Sequence, residues 1–157
     1  MSARKTPRAA RGSSFLSSYS EPRLQKIFEG VRRFVSSKFP ALKQVTLYFD
    51  CPEIIEFRRR NQGYLGERAL MHAAHRSWKI CVFRWAAGLS DTILVAMYLH
   101  ELGHFGGNST EPAANEWVRK NFGIEIVYKG PLDLQWIDPK IARQVLARHS
   151  SSLSLPS

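Results

Sequence analysis

Residues 91–104, DTILVAMYLHELGH, decide how this chain folds and where its chemistry lies. The apolar side chains in the first part recur at helical spacing and predict a buried helix. His100 and His104 are four residues apart, so both project from the same side of that helix. Glu101 lies beside this face, where it can reach a water bound to a metal ion held by the two histidines. The stretch therefore predicts part of a zinc-hydrolase site.

A catalytic zinc site needs a third protein ligand and an open position for water. After His104 the only other histidine is His149, close to the end of the chain, so counting excludes a nearby third histidine. The metzincin pattern, HExxHxxGxxH with a later Met-turn, fails because Thr occupies position 110 and no Met follows the helix. The third ligand is therefore expected to be a carboxylate from the next helix, with Glu111 and Glu116 as candidates.

The second helix has its own signals. Thr110 can cap its first turn, and Glu111 and Asn115 then stand one turn apart on the same face. Glu116 is rotated away from both. In the first helix, Gly103 costs roughly 1 kcal/mol relative to Ala, which indicates that another part of the chain packs closely against it.

The two helices together form a longer pattern, HELGH followed by Glu-x-x-Ala-Asn-x-aromatic. Its residues are His100, Glu101, Gly103, His104, Glu111, Ala114, Asn115 and Trp117. They resemble the ImmA/IrrE family of small gluzincin-like zinc metallopeptidases. The resemblance implies that His100, His104 and Glu111 hold Zn²⁺ and that Asn115 orients a ligand histidine.

The same resemblance implies an endopeptidase whose substrate is a specific intracellular protein, such as a repressor of a phage or mobile element. Glu101 would take a proton from the zinc-bound water and deliver it to the leaving amine. The donor that stabilises the transition state stays open, and His72, His75, Tyr48, Tyr64 and Tyr128 are candidates. For the two histidines, a surface or partly buried side chain is the simpler interpretation.

The whole chain predicts one α+β domain, a minimal zincin-like fold at residues 21–150, with a small mixed sheet, the HExxH helix and a following helix that carries the third ligand. Residues 1–20 are expected to be a disordered basic tail, and residues 151–157 a frayed end. Further helices are expected from Glu21, capped by Ser20, to about Lys38 and from Asp138 to about His149. Strands are expected at 45–50, 54–58, 79–85 and 124–128. A turn is expected at 61–63, and residues 69–74 fit either a helix or a strand.

Cys51 and Cys81 do not form a disulfide framework, and their apolar, strand-like surroundings predict two buried free thiols. Free thiols fit a reducing cytoplasm. Residues 1–20 lack the apolar segment of a secretory signal, although an Arg- and Ser-rich stretch without acids also describes an organellar transit peptide. No run approaches the roughly 20 apolar residues of a membrane span. The expectation is a cytoplasmic protein with no membrane partner.

The formal net charge of +10 is concentrated at the front of the chain. Residues 1–44 contain ten Lys or Arg and two Glu, whereas residues 91–130 contain three bases and five acids. A basic front end can bind nucleic acid nonspecifically, although a solvated tail and a basic helix face explain it as simply. The alternative to a peptidase is therefore a DNA-associated regulatory or binding protein with a structural or degenerate metal site.

Overall fold

A computed structural model describes residues 9–61, 70–106, 110–131 and 133–154, and only the backbone of 9–20, 75 and 148–154. Five helices and five strands lie in these ranges, with short 3-10 turns at Pro40–Gln44, His75–Ser77 and Arg84–Gly88. The helices are α1 Ala9–Ser36, α2 Pro52–Arg60, α3 Asp91–His104, α4 Glu111–Phe122 and α5 Pro139–Ser154; the strands are β1 Thr46–Phe49, β2 Met71–Ala74, β3 Lys79–Val82, β4 Val127–Lys129 and β5 Leu134–Trp136.

The main sheet is mixed and small, as the sequence predicts. Its strand order is β1-β3-β2, with β1 parallel and β2 antiparallel to the central strand β3. Leu47, Ile80 and Ala73 are neighbours in this register, so their side chains share the face that joins the core. Cys81 and His72 share the opposite face. Strands β4 and β5 form a separate two-stranded antiparallel sheet, and the α+β class is confirmed.

Helix α3 lies at the centre of the core. Its side chains from Leu94 to His104 are all buried, which explains an apolar composition around the whole helix. It packs against α1, α4 and α5. The hydroxyl of Tyr98 donates a hydrogen bond of 3.1 Å to the carbonyl of Leu24 in α1, so this buried polar group is satisfied.

Helices α1 and α5 are longer than predicted. Helix α1 begins at Ala9 rather than at Glu21, because Ala9, Ala10 and Arg11 are strong helix formers and the backbone is already helical when it reaches the Ser20 cap. Part of the segment expected to be disordered is thus helical. Helix α5 likewise continues to Ser154, beyond its predicted end near His149 and into the expected frayed end. Residues 1–8 of the expected tail and 155–157 of the expected frayed end lie outside the described residues.

The predicted strand at 54–58 is wrong, because this segment belongs to helix α2. Pro52 occupies the first turn, where its missing N–H costs nothing, and Glu53 faces the positive end of the helix dipole. Three arginines in the last turn complement the negative end. Asn61 follows as the C-cap, and the rest of the predicted turn at 61–63 lies outside the described residues.

The prediction of two free thiols is also wrong. Cys51 and Cys81 form a disulfide with their Cα atoms 5.7 Å apart. Cys81 lies in the central strand and Cys51 follows its parallel neighbour β1, so sheet formation brings together two residues that are 30 apart in sequence. The disulfide removes the cysteine argument for a reducing compartment. Among the described residues, no helix is both long and apolar enough to cross a bilayer.

Candidate metal centre

The last turn of α3 meets the first turn of α4. Both helices are capped: the Ser90 hydroxyl accepts from Ile93 N–H at 3.4 Å, and the Thr110 hydroxyl, as predicted, accepts from the first turn of α4. The helices approach closely because Gly103 has no side chain. A Cβ built at Gly103 would lie 2.8 Å from the carbonyl oxygen of Ala114. The neighbour that the glycine indicated is thus the backbone of α4.

This crossing gathers three predicted ligands. Glu111 Oε1 lies 2.5 Å from His100 Nε2, and its Oε2 lies 3.7 Å from His104 Nε2. The two Nε2 atoms are 3.1 Å apart. In a tetrahedral zinc site with bonds of about 2.0–2.1 Å, ligand atoms lie about 3.3 Å apart. The three separations lie on either side of that value, so His100, His104 and Glu111 form a candidate metal-binding group.

The two sides of the group differ in exposure. The side chain of His100 is 1% exposed, whereas that of Glu111 is 68% exposed. The group is therefore closed towards the core and open towards solvent. A catalytic zinc site requires such an opening, because water or substrate must reach the fourth position.

Without an ion, the histidines and the carboxylate hold one another through hydrogen bonds. Burial lowers the pKa of His100. The hydrogen bond to Glu111, the charge of Glu101 and the hydrogen bond to Asn115 together raise it by more, so the net pKa lies above the ordinary value. Hydrogen bonds from His100 and then His104 hold the pKa of Glu111 far below its usual range. A metal ion bound by this group would replace a proton between these side chains.

Asn115 fixes the orientation of His100. Its Oδ1 lies 2.7 Å from Nδ1 of His100 and accepts the Nδ1–H bond. This arrangement directs Nε2 of the same ring towards Glu111 and His104. The amide of Asn115 in turn donates to the hydroxyl of Tyr128 at 3.3 Å. The predicted role of Asn115 thus has the geometry that it requires.

Glu101 is buried beside the histidines, 8% exposed. Burial raises its pKa, and the nearby His100 and His104 lower it less than burial raises it. Its carboxylate also accepts a hydrogen bond from the backbone N–H of Ala73 in β2. A carboxylate with a raised pKa and nearby metal ligands is suited to general base catalysis.

The contact with Ala73 joins this carboxylate to the edge of the sheet at β2, which has no further partner strand among the described residues. Phe83 N–H donates to the Leu70 carbonyl, so in this antiparallel pair the backbone of His72 also faces β3. By alternation, the backbone groups of Met71 and Ala73 face away from β3, at the edge of the sheet. The sequence carries no signal for this contact, because a backbone N–H leaves no mark on residue type.

The remaining candidates lie in different surroundings. Glu116 pairs with Arg119 at 2.9 Å on the outer face of α4, which leaves Glu111 as the carboxylate at the histidines. Tyr48 is 52% exposed, beside Lys79. Tyr128 contacts the site through Asn115. His72 lines a pocket beneath α2, while Tyr64 and the side chains of His75 and His149 lie outside the described residues.

Several basic side chains of the front segment bind within the domain. Arg23 pairs with Asp91 at 2.5 Å, and Arg32 donates to the Val45 carbonyl at 2.8 Å. In α2, Arg59 and Arg60 pair with Glu56 at 2.5 and 3.4 Å, and Arg58 stacks over Phe83 and Trp85 at 4.1 and 4.6 Å. The three arginines of α2 thus pair or stack within the domain, although Arg59 and Arg60 remain largely exposed.

The chain matches no protein-family model, no curated protein and no solved structure. The functional argument therefore rests on the residues and their geometry.

Proposed function

We propose that this chain is a zinc-dependent endopeptidase with a minimal zincin-like domain of the ImmA/IrrE type. The observation that carries the proposal is the convergence of His100, His104 and Glu111 beside the buried carboxylate of Glu101. A metal site alone has many uses. A carboxylate with a raised pKa next to three ligands and an open fourth position favours hydrolysis.

A bound zinc ion would polarise the substrate carbonyl and lower the pKa of a water molecule. Glu101 takes the proton from the attacking water and delivers it to the leaving amine. Asn115 keeps Nε2 of His100 directed towards Glu111, where the two side chains would hold the metal, and Tyr128 is the oxyanion-donor candidate that contacts the site.

The edge of β2 supports a peptide substrate in extended conformation. Met71 directs its N–H and carbonyl outward and Ala73 its carbonyl, while the Ala73 N–H is bonded to Glu101. A peptide added as a further strand would thus run past the general base. From the family resemblance, we propose a specific intracellular protein as the substrate and a cytoplasmic location. Thiol trapping in cells would show whether the disulfide between Cys51 and Cys81 forms there.

The test combines metal content with cleavage. Purified protein should hold about one zinc per chain, and Glu111→Ala should lose it, whereas the matched control Glu116→Ala should retain it. Glu101→Gln should retain zinc and lose all cleavage of a peptide mixture. Cleavage by Glu101→Gln at the wild-type rate would refute the mechanism, and zinc retained by Glu111→Ala would move the third ligand elsewhere.

The second candidate is a DNA-associated protein with a structural or degenerate metal site, favoured by the basic front segment. Removal of residues 1–20 should weaken salt-sensitive DNA binding if this candidate holds. An unchanged low-salt gel shift would argue against a nucleic-acid role for these residues.

A further inference from the structure

A pocket of about 280 Å³ lies between helix α2 and the edge strand β2, outside the metal-binding group. Its apolar walls are Ile54 and Phe57 from the helix, and Met71 lines it at the strand. Glu53 and Arg60 bring one negative and one positive charge to it, and His72 completes the lining. The Cys51–Cys81 disulfide holds the first turn of α2 against the central strand.

The position of the pocket follows from the register of the sheet. His72 pairs with Cys81, so its side chain lies on the disulfide face of the sheet, opposite to the face that packs on the core helices. Met71 is the next residue along the same strand, so its side chain lies on the core face, and its backbone faces the edge that has no partner strand among the described residues. A pocket that both residues line, and that α2 covers, therefore lies on the disulfide side at the edge of β2.

A peptide that adds to this edge would present its side chains alternately to the two faces. The residue across from Ala73 would direct its side chain to the core face, where Ala73 bonds Glu101. The residue across from His72, one position away, would direct its side chain to the disulfide face. That side chain would meet the pocket, which thus lies one residue from the part of the peptide closest to the general base.

The lining favours one class of side chain. Ile54, Phe57 and Met71 are apolar, and the charges of Glu53 and Arg60 are opposite in sign. Arg60 also pairs with Glu56 at 3.4 Å. The pocket therefore offers apolar surface, and a charged side chain would meet one like and one opposite charge there.

We propose that the pocket between α2 and β2 is a specificity subsite that takes a large aliphatic or aromatic side chain of a peptide lying along β2. The proposal rests on the proposed peptidase function for its substrate class. It predicts that peptides with Leu, Met or Phe at one position next to the scissile region are preferred over peptides with Ala, Asp or Lys there.

The test uses the zinc-loaded full chain and a degenerate peptide library, with the cleavage sites read by mass spectrometry. Wild-type protein should enrich large apolar residues about tenfold at one position, the lower end of what a hydrophobic pocket achieves. Phe57→Ala should remove most of this enrichment, and Phe57→Glu should shift it towards Lys and Arg. Ile55→Ala is the matched control, because Ile55 is 38% exposed on the same helix and does not line the pocket.

A binding arm separates this proposal from the peptidase proposal. The same library is captured on immobilised, zinc-loaded Glu101→Gln protein, with and without Phe57→Ala. If the captured peptides are enriched in apolar residues and Phe57→Ala removes this enrichment, the subsite is supported even when the wild type cleaves nothing. Absence of cleavage would then refute only the peptidase proposal. Enrichment that Phe57→Ala leaves intact, cleavage without any apolar preference, or no capture at all would overturn the subsite. Phe57 is 40% exposed, and unchanged zinc content and melting temperature would show that its variants fold.

Discussion

Gly103→Ala tests whether the close crossing of α3 and α4 builds the metal centre. The new Cβ would lie 2.8 Å from the carbonyl oxygen of Ala114 and 3.3 Å from its carbonyl carbon. Ordinary contacts begin at 3.4 Å, so the closest one is short by about 0.6 Å. Because both contacts are with backbone, no side chain can rotate away, and the helices must separate.

The magnitude combines two opposing effects. Overpacking of a core costs typically 1–3 kcal/mol, and a contact with rigid backbone belongs near the upper end. Replacing a mid-helix Gly with Ala returns about 1 kcal/mol of helix propensity. We therefore expect Gly103→Ala to lower the free energy of unfolding by about 2 kcal/mol, which lowers the melting temperature by about 4–8 °C in a chain of this size.

The same separation should weaken the metal site. A functional constellation must be held within about 0.5 Å of its working geometry, and a shift of α4 moves Glu111 and Asn115 away from His100. Zinc affinity, measured by competition with a chelating indicator, should fall at least tenfold. Gly88→Ala is the control, since its Cβ would meet nothing within 4 Å. A Gly103→Ala protein that is as stable as the wild type and binds zinc as tightly would refute the argument.

Three further predictions concern the Cys51–Cys81 disulfide, the orientation of the His100 ring and the protonation of His100. Cys51→Ser opens a loop of 30 residues and should lower the free energy of unfolding by about 3–4 kcal/mol on a chain-entropy model. In denaturant unfolding experiments, reductant should cause the same loss in the wild type and should have no effect on the variant. Asn115→Ala frees the ring of His100 and should weaken zinc binding about 10–100-fold; binding within a factor of two of wild type would contradict the role. Zinc must displace a proton from His100, whose pKa is lowered by burial but raised by more through Glu111 and its other neighbours. Zinc affinity should therefore fall about tenfold per pH unit below that pKa and level off above it. A zinc affinity that does not change with pH would contradict the assignment of His100 as a ligand.

The parts of the fold that the sequence could predict are those with local signals. Helix α4 has the Thr110 cap at its start and Gly123 in the left-handed conformation at its end, and both act within one turn of the residues they control. Helix α2 misleads because its Ile-Ile-x-Phe pattern also fits a strand, and the decisive Pro52 precedes that pattern. The Cys51–Cys81 bond depends on the pairing of β1 with β3, which no local pattern specifies.

The candidate site divides in the same way. The two histidines and Glu101 lie within one helix, so the helical repeat alone brings them together. The contribution of Glu111 requires two helices to cross at the correct height, and Gly103 was the local sign of that crossing. The contact of Glu101 with Ala73 was beyond prediction, because it uses a backbone N–H from a strand that the sequence left as either helix or strand.

These contacts give the metal ligands and the general base separate supports. Helix α4 holds His100 through Asn115 and Glu111, whereas strand β2 holds Glu101 through Ala73. A change in α4 should therefore remove metal and activity together, while a change at the edge of β2 should reduce activity and leave the metal in place. A peptide that pairs with β2 would stiffen the strand that positions the base, so substrate binding and base alignment are expected to depend on each other. On this argument, the edge of β2 would contribute to catalysis as well as to binding in the proposed peptidase.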